Sequence, residues 1–309
     1  MSKPIIRFTG VSKWYGNVIG VNNLTLGFEA GVTGLLGPNG AGKSTLLQLA
    51  TGQLKPSMGA ITVLGHSPWA RPALNRFVGL CPEQDAFYEW MTGWQFVHTC
   101  ARLTGLLGGE ARTAAQAAIE IVKMTPNMNR AIRGYSKGMR QRIKIAQAIV
   151  HSPRVLFLDE PFTGTDPVAR RDLMDLVLRF GDEGRSVILS SHVLHEVQAV
   201  TPNIVLLNRG RLVAEGKLRD IRALIDNHPH RIVLVSPAHR ALAAKLVCHD
   251  DVVGLEFKSK ESAILAQTSM PDRFYSRLPD LAADPETPIR EVYSDDDNLE
   301  AVFKYLVHT

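Results

Sequence analysis

The run Gly37-Pro38-Asn39-Gly40-Ala41-Gly42-Lys43-Ser44-Thr45 holds the residue types that phosphate chemistry requires, in the spacing G-x-x-x-x-G-K-[ST]. Glycines let the backbone wrap closely round a phosphate, so that successive N–H groups point into one concavity. A helix opening near Lys43 adds its positive end, worth about 0.3–2 kcal/mol for an anion. That is too little to hold a triphosphate. Lys43 must therefore supply a full charge to the outer phosphates, and Ser44 a hydroxyl ligand for Mg2+. The alternative, a glycine-rich turn that binds nothing, treats every fixed position as coincidence. The spacing predicts a nucleoside triphosphate site.

Further residues suited to chemistry lie at the ends of apolar runs. Val155-Leu156-Phe157-Leu158 leads into Asp159-Glu160-Pro161. Four consecutive apolar residues between turn signals predict a strand buried on both faces, as in a parallel sheet. Carboxylates at its C-terminal end stand where such sheets place their chemistry. Val187-Ile188-Leu189-Ser190-Ser191-His192 is a second such strand, ending on an imidazole. Ser136 is placed to cap a helix over Ile143–Val150 and to expose that helix's positive end. Tyr15, in Lys13-Trp14-Tyr15-Gly16, either stacks on a base or caps the sheet. His195-Glu196 follows His192, but His-x-x-His-Glu matches neither zinc-helix order and reads as ordinary helix surface.

These groups need a scaffold. The flanks Val32–Leu36 and Leu46–Ala50 frame the glycine run as strand, loop and helix. Ile5–Thr9, Asn22–Phe28, Ala60–Leu64 and Val78–Cys81 read as strands, and 204–207 with 212–214 as a hairpin. From Trp90 to Met124 the pattern turns helical, with a break at Gly105–Gly109, so about 87–133 forms a helical subdomain inserted in the sheet domain. Residues 1–220 make one domain. Beyond 221, Arg231–Val235, Ala238–Val247, Val252–Phe257, Ala263–Thr268, Arg273–Ala282, Arg290–Tyr293 and Leu299–Val307 read as β-α-β-β-α-β-α. That is a small ferredoxin-like α+β extension over 221–309, an interaction or dimerisation module rather than a second active site.

The totals agree with a globular α/β chain. Of 309 residues, 45% are hydrophobic and 21% charged. Net charge is +5, from 35 basic and 30 acidic residues, which fits a solvated surface better than a nucleic-acid footprint. Cys81, Cys100 and Cys248 are scattered without zinc spacing and read as reduced thiols. No apolar run is long enough to span a bilayer, so any membrane contact comes through a partner.

Taken in order, these stretches resemble the ATP-binding subunit of an ABC transporter over about residues 5–220. Gly37–Thr45 resembles its Walker A loop, and Val155–Asp159 with Glu160 its Walker B strand and following glutamate. Gln84 falls at the Q-loop, Tyr135–Met139 at the signature, Gly164-Thr165-Asp166 at the D-loop, His192 at the switch histidine and Tyr15 at the A-loop aromatic. The signature departs from Leu-Ser-Gly-Gly-Gln: Lys137 and Met139 replace the first glycine and the glutamine, while Ser136 and Gly138 remain. Lys137 either adds charge toward a phosphate or points outward. Gly-Thr-Asp replaces the usual Ala-Leu-Asp but keeps Asp166.

The resemblance implies a P-loop NTPase core that binds ATP and Mg2+ between two head-to-tail cassettes, either a homodimer or a pair with another ABC ATPase. Lys43, Ser44, Asp159 and Gln84 would serve phosphate and metal, with Glu160 polarising the water and His192 holding the γ-phosphate. Ser136, Gly138 and Asp166 would act across the interface. Separate transmembrane permease subunits are implied, with the chain peripheral at the cytoplasmic face of the inner membrane and no nucleic-acid partner. Phe87, Tyr88, Trp90 and Met91 either line a groove for a permease helix or pack within the helical block. The signature, Met91-Thr92-Gly93 and the C-terminal extension look like type-two bacterial exporter ATPases. The alternatives are a soluble ABC ATPase of translation or DNA repair, and a weakly active regulatory partner in a heterodimer.

Overall fold

A computed structural model describes residues 4–223, 229–258 and 262–294. The chain divides into two compact units, Met1–Lys217 and Leu218–Thr309. The first begins with β1 (Ile6–Tyr15), β2 (Val18–Phe28) and β3 (Val32–Leu36), followed by α1 (Lys43–Ala50), β4 (Met58–Val63) and β5 (Val78–Cys81). The helical block holds α2 (Gly93–Leu103), α3 (Gly108–Ile121) and α4 (Lys137–Ile149). The unit closes with β6 (Val155–Asp159), α5 (Pro167–Asp182), β7 (Ser186–Ser191), α6 (Leu194–Gln198), β8 (Asn203–Asn208) and β9 (Arg211–Lys217).

Two sheets share the core. The larger runs β5-β6-β7-β3-β8-β9, parallel except for the β8–β9 hairpin. Every residue of β6 and β7 is buried, as strands covered on both faces must be. The smaller sheet, β2-β1-β4, is antiparallel. β1 alternates buried Ile6 and Phe8 with exposed Arg7 and Thr9, then passes through several bulges to Tyr15. The strand expected to stop at Thr9 therefore continues, because a bulge at Gly10 (φ 59°) absorbs the glycine without ending the pairing. Leu46, Leu47, Leu49 and Ala50 of α1 join Phe8, Phe28, Phe157 and Ile188 in one buried cluster that ties the sheets together.

The helical block is fastened to the edge strand of the larger sheet. Thr92 and Gln95 form a reciprocal cap that starts α2. Ala111, Ala115, Ala118 and Ile119 give α3 a buried face. The helix α4 begins at Ser136, whose Oγ accepts from the Met139 amide (3.3 Å). It and the turn after it send polar side chains to β5 and the loop beyond. His151 Nε2 meets Val78 O (3.0 Å), Gln147 Nε2 donates to Leu80 O (3.4 Å) and Lys144 Nζ donates to Glu83 O (2.7 Å). Carbonyls that the edge strand and its loop would otherwise leave open are closed by Lys144 and Gln147, one helical turn apart, and by His151 just past the helix.

The second unit begins with α7 (Leu218–Ala223) and contains β10 (His230–Val235), α8 (His239–Leu246), β11 (Val252–Lys258), β12 (Ala263–Thr268), α9 (Pro271–Ala283) and β13 (Glu291–Ser294). Among the described residues its sheet has the order β11-β12-β10-β13, with every neighbouring pair antiparallel. Ile232, Leu234, Ile264 and Ala266 on one face pack with Leu242, Leu246 and Phe274 of the helices. The helix expected over Leu299–Val307 lies outside the described residues.

Candidate nucleotide site

The parallel strands β3, β6 and β7 end side by side, and residues just after β3 and β6, with the ends of β1 and β2 that face them, line a cleft of about 460 Å³. The glycine loop lies between β3 and α1. Gly42, just before α1, sits at φ 101°, and a Cβ there would come within 2.5 Å of Gly20 O. Only glycine fits both the backbone and the space. Asn39 to Thr45 line the cleft, with Tyr15, Gly20, Glu83 and Glu160 around them. Tyr15 is 44% exposed, and its hydroxyl lies 3.4 Å from Thr45 Oγ1. Its ring is thus at the cleft mouth and open to a flat ligand. Gly20 makes room for it: a Cβ there would meet the Tyr15 ring at 2.8 Å.

Charge is concentrated at the floor. The Lys43 ammonium donates to Gly37 O (2.8 Å) and Pro38 O (3.4 Å) and lies 3.4 Å from Glu160 Oε1. Both side chains are buried, so each neutralises the other where an unpaired charge would be costly. Glu160 Oε2 accepts from His192 Nδ1 (2.9 Å) and Thr163 Oγ1 (3.3 Å). Glu160 also holds a left-handed backbone at φ 48°, a conformation that costs a side-chain-bearing residue about 1–2 kcal/mol. Ser190, fully buried on β7, donates from Oγ to Asp159 Oδ1 (2.5 Å) and accepts from the Glu160 amide (3.0 Å).

Comparison with known proteins places this geometry. A family model described as ABC transporter matches residues 21–163. The daunorubicin/doxorubicin resistance ATP-binding protein DrrA of Streptomyces peucetius is 32% identical over 279 residues, covering 90% of this chain and 84% of its own. The chain belongs to the ABC transporter ATP-binding proteins. An uncharacterized ABC transporter ATP-binding protein of Synechocystis is 34% identical over 72% of this chain, which spans only 63% of that relative's length. The solved ATP-binding subunit of an ABC transporter superposes with a TM-score of 0.66 at 27% identity, over 72% of this chain and 93% of that one. The family is that of ATP-binding, ATP-hydrolysing cassettes, and the core is the P-loop NTPase fold.

Within this ABC cassette, the structure brings Lys43, Ser44, Thr45, Asp159, Glu160 and His192 together with Tyr15. Gln84 is exposed and does not line the cleft; its neighbour Glu83 does. Lys144, buried under the loop, pairs with Asp85 (3.2 Å) as well as with the Glu83 carbonyl, and this sets which residue turns inward. Ser136, Gly138 and Asp166 do not line the cleft either. Ser136 and Asp166 cap α4 and α5, the latter accepting from the Ala169 amide (2.9 Å). Lys137 is exposed, and its stem lies 3.4 Å from where a Cβ on Gly164 would stand.

One expectation is corrected. Glu196 is not helix surface but 4% exposed, accepting from Ser191 Oγ (3.1 Å) and paired with Arg170 Nε (3.3 Å). The helix α6 turns that side chain inward to satisfy the buried serine. His195 stays exposed, and no cluster of metal-ligating side chains occurs among the described residues. Ser190, Thr163, Glu83 and Gly20 also belong to the site, and nothing in the sequence singles them out for it. Ser190 carried a hidden signal: it is the residue level with Asp159 once β6 and β7 are paired in register.

Proposed function

We propose that this chain is the ATP-hydrolysing subunit of an ABC exporter, closing as a dimer on MgATP at the cytoplasmic face of a membrane and driving separate permease subunits. One observation carries the reading: the Glu160 carboxylate stands between Lys43 and His192, at the ends of strands that open onto the glycine loop. The resistance ATP-binding protein DrrA supports the export direction. Among the described residues no helix is long and apolar enough to cross a membrane, so a permease would supply the path.

In the free protein the donors of Lys43 are taken up by two carbonyls and Glu160. Phosphate oxygens entering the loop replace Glu160 as the partner of Lys43. The carboxylate is then free to accept a proton from an attacking water, while His192 keeps it oriented. Phosphoryl transfer asks chiefly for positioning and charge stabilisation, which the loop amides and Lys43 provide. The Ser44 hydroxyl and Asp159 carboxylate are hard oxygen donors and fit Mg2+, which is commonly held by one or two protein groups plus phosphate and water rather than by a full cage. When bound, the metal neutralises developing phosphate charge.

The exposed side chains Tyr88 (62%) and Trp90 (72%), next to Phe87 packed against Phe96, are the surface we assign to a permease helix. A second reading, a weakly active partner in a heterodimer, rests on Lys137 and Met139 in the signature helix. Glu160→Gln separates the readings. It should retain ATP, form a dimer on gel filtration with MgATP and lose turnover by about 10²–10⁴-fold. Near-normal phosphate release would remove Glu160 from its role. A wild-type chain that stays inactive until a second ATPase subunit is added would favour the heterodimer.

A further inference from the structure

Two consecutive serines end β7, and they face opposite sides of the sheet, as successive strand residues must. Ser191 turns to Glu196, whereas Ser190 turns to the nucleotide side. Ser190 has no solvent-accessible surface and stands level with Asp159 on the neighbouring strand. Its hydroxyl has one proton to give. That proton goes to Asp159 Oδ1 (2.5 Å), because an ionised carboxylate can only accept. The oxygen is then left to accept from the Glu160 amide (3.0 Å), so neither bond can reverse.

We infer that Ser190 is a positioning residue for hydrolysis, holding the backbone of Glu160 and the carboxylate of Asp159 in one fixed geometry. The inference rests on the assignment of Glu160 as the hydrolytic carboxylate. Glu160 is in the left-handed region at φ 48°, where a side-chain-bearing residue stays only if its surroundings hold it. Strand β7 grips it at both ends: Ser190 on the amide, and His192 just beyond the strand on the carboxylate at 2.9 Å. Without the hydroxyl, the amide is a buried donor with no acceptor and the backbone can relax toward the ordinary helical region. The carboxylate then swings away from Lys43 and His192, while the glycine loop that holds ATP is untouched.

The test uses the full chain with Ser190→Ala, Ser190→Thr and, as reference, Glu160→Gln. For Ser190→Ala, kcat should fall about 10–100-fold, the size seen when an outer partner of a site group is lost. The KM for ATP should stay within about threefold. Exchange of the Glu160 amide hydrogen, followed by NMR, should quicken by about tenfold, matching one lost hydrogen bond. Exchange within Leu156–Leu158 should not change. Ser190→Thr keeps the hydroxyl and should recover most of kcat. Unchanged amide exchange with wild-type kcat in Ser190→Ala would overturn the inference, as would equal loss of kcat in the two serine variants. If the threonine methyl prevents folding, the exchange rate in Ser190→Ala decides alone. Full turnover in Glu160→Gln would instead defeat the parent assignment, and its collapse alongside a wild-type Ser190→Ala would defeat only this one.

Discussion

The two units of the chain treat buried charge in opposite ways. In the cassette, Lys43, Lys144, Asp159, Glu160 and Glu196 are all nearly inaccessible, whereas Asp251 is the one fully charged side chain so buried among the described residues of the second unit. Topology accounts for the difference. Parallel strands bring β3, β6 and β7 to the same edge, so their following loops converge on a common point. In the order β11-β12-β10-β13 every strand runs opposite to its neighbours in the sheet, so no three adjacent strands end at one edge. Buried ions are costly unless tightly paired; Lys144 and Glu196 pair away from the cleft, whereas Lys43, Asp159 and Glu160 meet where the strands converge, which marks a place organised for chemistry.

The strongest test of that contrast is Lys43→Ala. With the ammonium gone, Glu160 loses its buried counter-ion and the triphosphate its full positive charge. Removing one partner of a buried charge pair costs about 2–5 kcal/mol, so affinity for ATP should fall by roughly 30-fold to several thousand-fold. Titration with a fluorescent ATP analogue measures it directly. Unchanged affinity would mean that the glycine loop is a turn like any other.

How far this was visible beforehand follows the same division. The glycine loop, Asp159-Glu160 and His192 each announce themselves by residue type and by position after an apolar run, and the structure brings them together. What sequence order cannot supply is strand register. Ser190 acquires meaning only beside Asp159, and Glu196 only when α6 is seen to turn it under Ser191. Glu83 faces the cleft in place of Gln84 because Lys144, more than one element away, fastens the loop. Gly10 reads as a stop in the sequence, while pairing to β2 and β4 carries β1 past it. In the second unit the alternation of apolar residues is legible, but nothing among its described residues concentrates reactive groups.

A smaller effect is expected from Asp251, which tests the contrast from the other side. Its carboxylate accepts from Arg277 Nη1 (2.9 Å), while Oδ2 is buried without a hydrogen-bond partner. Burial pushes this carboxyl up, but the Arg277 hydrogen bond, a backbone amide and the Arg277 and Arg273 charges outweigh it and hold it below the usual carboxylate range. Asp251→Asn should lower stability by about 1–3 kcal/mol. Segment-resolved hydrogen exchange should show the loss in β10–β13 and leave β3, β6 and β7 protected. Steady ATP turnover would confirm that Asp251 serves the fold alone. A fall in turnover matching that of a cleft variant would break the contrast.

The smallest effect concerns a partly exposed carboxylate in the cassette itself, outside the cleft. Asp172 on α5 accepts from Arg142 Nη2 (2.8 Å) on α4 and from Lys123 Nζ (3.0 Å) just after α3. The Arg142 hydrogen bond, then that from Lys123, hold its carboxyl below the ordinary range against a small opposing effect of burial. A carboxyl lowered in the folded state binds fewer protons there than in the unfolded chain. Its contribution is therefore complete above the unfolded value, near pH 4, and is lost as pH falls through the folded one. Asp172→Asn should cost only about 0.3–1 kcal/mol at neutral pH, as solvent-screened pairs do. It should also flatten the acid side of a Tm-against-pH curve below about pH 4, with ATP turnover unaltered. An acid limb identical to that of the wild type would show that the Asp172 pairs add nothing to the joining of the three helices.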